Sequence, residues 1–379
     1  MKKVFLTTIT LLSMASASVF GMYGVDTDWI FFLTHGNQFR ARLDQLGFTL
    51  GNDTIKGTFG FDNNTGFDGA YGGLLLDNDG THYSFVPSIS MGLGYTSSLI
   101  SVGVGYNATI GGHTQKFNGK TEPKTVNKSA HTPVLVLNAM DNAFRMAIPI
   151  QVYVDNDKLE NGGYDNKMAV SVDSQFRYYT GLDALPQVRL FLRYGLYQNE
   201  SKASKDAEKV KTKYGESFGF DFRLYFGSMV EEVALQPLVR LAYDGALGNY
   251  HANARIQAVK AMNGDYDAMS YGGGVWNLTL MTGLGLTANS DIVSLYLEPQ
   301  LGLAVASRAP IVATAPGTPA QARVTTESYS LTYNVYAEIY ITPLKNLEWY
   351  FEAQLGSGAN QNSLVFNGTT GITWYLPAL

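Results

Sequence analysis

Long segments of this chain alternate apolar and polar or small residues with a period of two, and no other feature constrains the fold as much. From 83 to 95, Tyr83, Phe85, Pro87, Ile89, Met91, Leu93 and Tyr95 share one face. Ser84, Ser88, Ser90, Gly92 and Gly94 share the other, with Val86 as the exception. After Thr96-Ser97-Ser98 the pattern resumes, with Ile100, Val102, Val104, Tyr106, Ala108 and Ile110 set against Ser101, Gly103, Gly105, Asn107 and Thr109. Side chains alternate faces only in a β-strand, so the pair predicts a hairpin. Its arms are long enough to cross a bilayer, which takes about 9–11 tilted residues per strand.

The rhythm returns at 144–154, 168–178, 188–196, 218–226, 235–243, 276–286, 293–305, 331–341, 347–355 and 364–374. Short connections (near 96–98, 141–143, 180–186, 228–232, 287–291 and 342–346) alternate with long polar ones (112–132, 155–166, 200–213, 245–270 and 307–325). Residues 38–50 and 54–62 read as a first hairpin, and Ala70 to Leu76 as a short strand. The expectation is an all-β chain: a transmembrane antiparallel β-barrel of about 14–16 strands, with short periplasmic turns and long extracellular loops. Composition fits. Charged residues are 16% of the chain and mean hydropathy is -0.05. A water-soluble domain averages about 25% charged, and a helical membrane protein needs apolar runs of about 20 residues.

Lys2-Lys3, the apolar stretch Val4 to Leu12 and the small residues that follow have the order of a secretory signal peptide. Cleavage fits after Ala17 or Gly21, which divides the chain into a leader at 1–21 and a barrel at 22–379. There is no cysteine, which excludes disulfides, a lipid-anchored cysteine and thiol chemistry. The net charge of -5 comes without a basic stripe, so no nucleic-acid partner is expected.

If the apolar rows face lipid, the opposite rows face the lumen. Those rows carry Arg145, Arg177, Arg189, Arg193, Arg223 and Arg240 in the middle strands, and Glu298, Glu338, Glu348 and Glu352 later. Asp173, Asp221 and Asp244 share the arginine rows. Two arrangements fit: a pore with a basic wall and an acidic wall, passing small polar solutes, or a lumen plugged by a salt-bridge network. In the first, Arg189→Glu with Arg193→Glu would turn selectivity toward cations. Tyr95, Tyr178, Tyr179, Tyr225, Phe226, Trp349, Tyr350, Trp374 and Tyr375 lie at strand ends near short turns, where an aromatic girdle belongs.

Signals for chemistry are weak. His35, His82, His113, His131 and His251 are scattered without metal-ligand spacing. Asp77, Asp79 and His82 lie together in a stretch with strong turn chemistry, and Asp155-Asn156-Asp157 does not continue into a calcium loop. Glu200 to Lys213 reads as a solvated outer loop, part-helical at most. No catalytic residue, metal or cofactor is expected, and the chain is not expected to be an enzyme.

The run FGMYGVDTDWIFFLTHGNQFRARLDQLGFTLGNDTIKGTFGF, Phe20 to Phe61, resembles the variable surface proteins of the spirochaete Brachyspira, as do the chain's length, its lack of cysteine and its aromatic last strand. The resemblance implies an antigenically variable protein exposed at the outer membrane, meeting membrane lipid, host molecules and antibodies through its loops. A diffusion porin or an adhesin is the alternative, and homo-oligomerisation is left open. The ending Trp374-Tyr375-Leu376-Pro377-Ala378-Leu379 lacks the terminal aromatic of common outer-membrane barrels.

Overall fold

A computed structural model describes residues 29–42, 45–63, 77–78, 82–84, 87–110, 115–116, 128–159, 161–230, 233–248, 254–262, 275–308, 326–357 and 364–377. Sixteen strands form its barrel. They are β1 Gln38–Arg42, β2 Gln45–Gly51, β3 Ile55–Asn63, β4 Pro87–Tyr95, β5 Ile100–Ile110, β6 Lys128–Ala139, β7 Phe144–Lys158 and β8 Tyr164–Tyr179. The circuit continues with β9 Gln187–Lys202, β10 Lys209–Tyr225, β11 Val233–Ala246, β12 Trp276–Asn289, β13 Val293–Arg308, β14 Thr326–Leu344, β15 Leu347–Ser357 and β16 Leu364–Tyr375. Each strand pairs antiparallel with its neighbours in sequence, and β16 pairs back onto β1, Trp374 opposite Phe39. The closed ring leaves no edge strand between first and last, which is how a sheet can sit in lipid with every ladder satisfied.

The alternation sorts the chain by face. Large apolar side chains point outward, among them Leu93, Val104, Leu192, Leu280, Leu301 and Phe366, while Ser90, Asn107, Gln151, Arg189, Asp221 and Glu338 are buried on the inner face. On β9 the outward face is apolar from Val188 to Leu196 and then becomes Gln198, Glu200 and Lys202. The facing strand changes at the same height, Phe218 giving way to Glu216 and then to Lys213, Lys211 and Lys209. The apolar stretch is the length that a tilted strand needs to cross hydrocarbon.

Several sequence expectations change. The stretch 38–50 is two strands, β1 and β2, paired with Ala41 opposite Leu46. The expected strand at 70–76 lies outside the described residues. Sixteen strands are thus reached by a different division of the chain. The strand expected from Tyr83 is shorter, because His82–Ser84 pairs with Asp77–Asn78 and Gln115–Lys116 in a small separate sheet. The long connections at 155–166 and 200–213 are mostly ladder: Asp155 faces Lys167 and Lys158 faces Tyr164, while Glu200 faces Lys211 and Lys202 faces Lys209. The charge-dense stretch 200–213 is therefore strand, not helix, around a short tip. Glu200 also pairs diagonally with Lys209 at 2.9 Å, which offsets the like-charge pair Lys202–Lys209 beside it. At the other end of the barrel, the turn joining β6 to β7 holds Met140, Asp141 and Asn142 at positive φ, a backbone that suits the twist of a tight hairpin and that Asp and Asn tolerate.

Candidate functional site: the barrel lumen

Immediately before β1, Trp29–Thr34 form a 3-10 helix inside the barrel. Trp29, Ile30, Phe31, Phe32 and Leu33 are all at most 3% exposed. Five consecutive apolar residues cannot lie in a strand with one wet face, so this run seeks a pocket instead, and each side chain taken fully from water contributes about 1.5–3 kcal/mol. The wall provides one through four glycines. Gly92 stands opposite Gly105 and Gly94 opposite Gly103 on β4 and β5. A Cβ at Gly92 would stand 3.0 Å from Trp29 Cζ3, and one at Gly103 would stand 3.0 Å from Leu33 Cδ2. The helix also packs on Val134 and Val136 of β6, Ala147 of β7, and Tyr340 of β14. β6 and β14 lie half a circuit apart, so this segment bridges opposite walls. It fills the lumen near the short-turn end. Lys56 of β3 donates to the His35 carbonyl, and Asn37 is clamped between Gly51 and the C-terminal end: its Nδ2 donates to Gly51 O (2.9 Å) and Pro377 O (2.8 Å), while Gly51 N donates to its Oδ1 (2.8 Å).

A second insertion comes from the long connection after β11. Ile256, Ala258 and Ala261, the last two in the short helix α1 Ala258–Met262, pack on Ala130, Tyr153, Ala169 and Tyr197. Ile256 N donates to Ser217 Oγ (2.8 Å), Ala258 N to Ser171 Oγ (2.9 Å), and Arg255 pairs with Asp173 at 2.7 Å. The small inward residues of β6, β8 and β9 make this approach possible; a Cβ on Gly195 would collide with the Ile256 backbone.

All ten charged residues expected inside the barrel lie on inward rows, and register arranges them in a way their spacing alone does not reveal. Arg145 faces Arg177, Arg177 faces Arg189, Arg189 faces Arg223, and Arg223 faces Arg240. Five arginines thus form one row across β7 to β11. Like charges directly opposite one another repel, and the row is relieved by aromatic faces and carboxylates. Arg177 and Arg145 lie 4.4 and 5.2 Å from the Phe31 ring, Arg189 4.5 Å from Tyr225, and Arg223 4.9 Å from Phe191. Such stacking is favourable for a guanidinium. Asp221, with no exposed side-chain surface, pairs with Arg223 at 2.8 Å and Arg240 at 2.7 Å. Arg193 lies two inward positions beyond Arg189 on the same strand and contacts Asp173, Asp221 and Asp244 at 3.5, 3.4 and 3.3 Å. Three aspartates from the same arc, which the sequence places in the arginine rows, thus offset part of the basic wall.

The glutamates occupy β13 to β15, each held by a tyrosine. Tyr296 donates to Glu298, Tyr340 to Glu338 (3.0 Å) and Tyr375 to Glu348 (3.1 Å), while the Tyr336 hydroxyl, with one hydrogen to share, lies between Glu338 and Glu352 (2.5 Å to the latter). That last bond corrects the girdle. Tyr95, Tyr178, Trp349 and Trp374 point outward near the short-turn end. Tyr375 points inward, as do Tyr179, beside Arg145, and the buried Tyr225 and Tyr350. Consecutive strand residues point to opposite faces, so a neighbouring pair such as Trp374-Tyr375 supplies only one residue to the girdle.

Sequence reasoning missed the 29–34 plug, although an apolar run without alternation, followed by two glycine pairs at matching spacing, was visible. Among the described residues, no group of three or more Asp, Glu or His is placed to hold a metal ion. The pair Asp77 and His82 belongs to the small separate sheet, and Asp79 lies outside the described residues.

No curated protein matches this chain. Among solved structures, a TodX monoaromatic hydrocarbon channel deltaS2 mutant is 11% identical, with 93% of this chain and 94% of that chain covered and a TM-score of 0.36. CdiB from Acinetobacter baumannii is also 11% identical, with 89% of this chain and 59% of that chain covered and a TM-score of 0.37. At that level of likeness neither informs what this chain does. The family model described as Serpulina hyodysenteriae variable surface protein matches residues 2–375, from ahead of the plug to the end of the last strand, and the chain belongs to that family.

Proposed function

We propose that this protein is an outer-membrane barrel whose long hairpins and loops stand at the cell surface as its variable, antibody-facing part. The observation that carries the reading is the change of outward face on β9 and β10. The face is apolar up to Leu196 and Phe218 and polar, mostly charged, beyond them, so the hairpin continues past the bilayer for several residue pairs. The family to which the chain belongs supports the surface reading. The periplasmic end is then the short-turn end, with Tyr95, Tyr178, Trp349 and Trp374 at the headgroups. Host molecules and antibodies are the partners that such hairpins would meet, and the bilayer is the partner of the apolar belt.

The test uses intact cells. Antibody raised against the 200–209 hairpin tip should label unbroken cells, and replacing 203–208 with an unrelated sequence should abolish labelling while the protein stays in the outer membrane. Labelling that appears only after the cells are broken open would sink the proposal.

A further inference from the structure

The plug and the arginine row meet. Phe31 lies against Arg145 and Arg177, so the segment that fills the short-turn end of the lumen also covers the first two members of the five-arginine row. The chain just after the segment combines a fixed residue with a glycine. Asn37 is fixed by its bonds to Gly51 and Pro377, and Gly36, immediately before it, has nothing within 4 Å of where a side chain would start. A fixed pivot preceded by an unencumbered glycine lets the 29–34 unit swing without disturbing β1. Its seat is chiefly apolar: the glycine pairs, Val134, Val136 and Ala147. Among its polar contacts are Lys56 to the His35 carbonyl and Arg145 Nη1 to Thr34 Oγ1 at 3.4 Å. Swinging away would uncover a mouth edged by Lys56, Arg145 and Arg177, with Arg189 next in the row. Aspartates offset the far part of the row, at Arg223 and Arg240, whereas the mouth itself presents three cations. An excess of one sign in a low-dielectric wall concentrates the opposite ion, and arginine forks suit small oxyanions.

We propose that this barrel is a gated passage for small anions, in which Trp29–Thr34 is the gate and the arginine row beginning at Arg145 and Arg177 is the selectivity element. This goes beyond the surface reading, which stands if the gate is disproved.

The experiment is single-channel recording of the refolded full chain in a planar bilayer under a potassium chloride gradient. The wild type should be mostly closed. Trp29→Ser with Phe32→Ser should raise mean conductance by roughly tenfold or more, since loss of about 1.4 kcal/mol of seating already shifts a two-state population tenfold. The reversal potential should show preference for chloride, and adding Arg145→Gln with Arg177→Gln should remove that preference. Equal conductance of wild type and plug variant overturns the gate. A plug variant that conducts without chloride preference, or whose preference survives loss of both arginines, overturns the selectivity. Because the plug variant could fail to assemble, a second variant works without removing the apolar residues. The chain has no cysteine, so Leu33→Cys with Gly103→Cys introduces a single crosslinkable pair. Oxidation should abolish openings and reduction should restore them, and openings indifferent to oxidation of a crosslinked chain overturn the gate.

Discussion

At the scale of single residues, Asp221 has the largest predicted effect. Its carboxylate is fully buried among Arg193, Arg223 and Arg240. Asp221→Asn keeps the shape and removes the charge, leaving three guanidinium groups facing one another. Breaking a buried ion pair on one side costs about 3–5 kcal/mol, so urea unfolding in lipid or detergent should show a loss of that size. The same geometry revises the expected outcome of charge reversal. Arg193→Glu would place a fourth carboxylate beside Asp173, Asp221 and Asp244. Failed assembly, read as loss of the heat-modifiable band on a gel, is expected rather than a change of selectivity. Which residues face inward was legible from the period of two. That Asp221 faces three arginines was not, because their partners depend on the pairing register of β9, β10 and β11.

At the scale of elements, the outward rows are the part that sequence read most directly. Leu280 sits between Leu241 and Leu303 in the middle of such a row and is 52% exposed without lipid. Leu280→Arg puts a charge near mid-bilayer at a cost of about 2–4 kcal/mol. Folding titrations in vesicles should show that loss, and a variant as stable as wild type would mean that the barrel is not in lipid at this face. Where sequence misled, the elements had mixed signals. Polar composition made 200–213 look like loop, yet the backbone on both sides of the tip is paired residue by residue as ladder. The continuous pattern over 38–50 hid a reversal, because β1 gains half of its pairing from β16, more than three hundred residues away.

At the scale of the whole molecule, the apolar run at 29–33 is fitted to glycines contributed by two other strands. Substituting Gly92→Val with Gly105→Val should unseat Trp29, since a Cβ at Gly92 already stands 3.0 Å from Trp29 Cζ3. Acrylamide quenching of tryptophan fluorescence should rise in that variant, with Trp276, Trp349 and Trp374 replaced by Phe in both proteins so that Trp29 alone reports. Unchanged quenching would mean that the helix does not occupy the glycine trough.

By itself the sequence determined that this is a closed β-barrel with lipid-facing rows, a charged interior and one end of short turns, because a period of two and the lengths of its segments are local properties. Tertiary structure alone decided that the lumen is filled near the short-turn end, that five arginines stand in one row, and that aspartates and aromatic rings from neighbouring strands compensate them. Those facts rest on register and on contacts between segments far apart in the chain. A one-residue slip of any strand would turn its inward residues out to lipid, so the burial of Asp221 among its three arginines reflects pairings that no local pattern specifies.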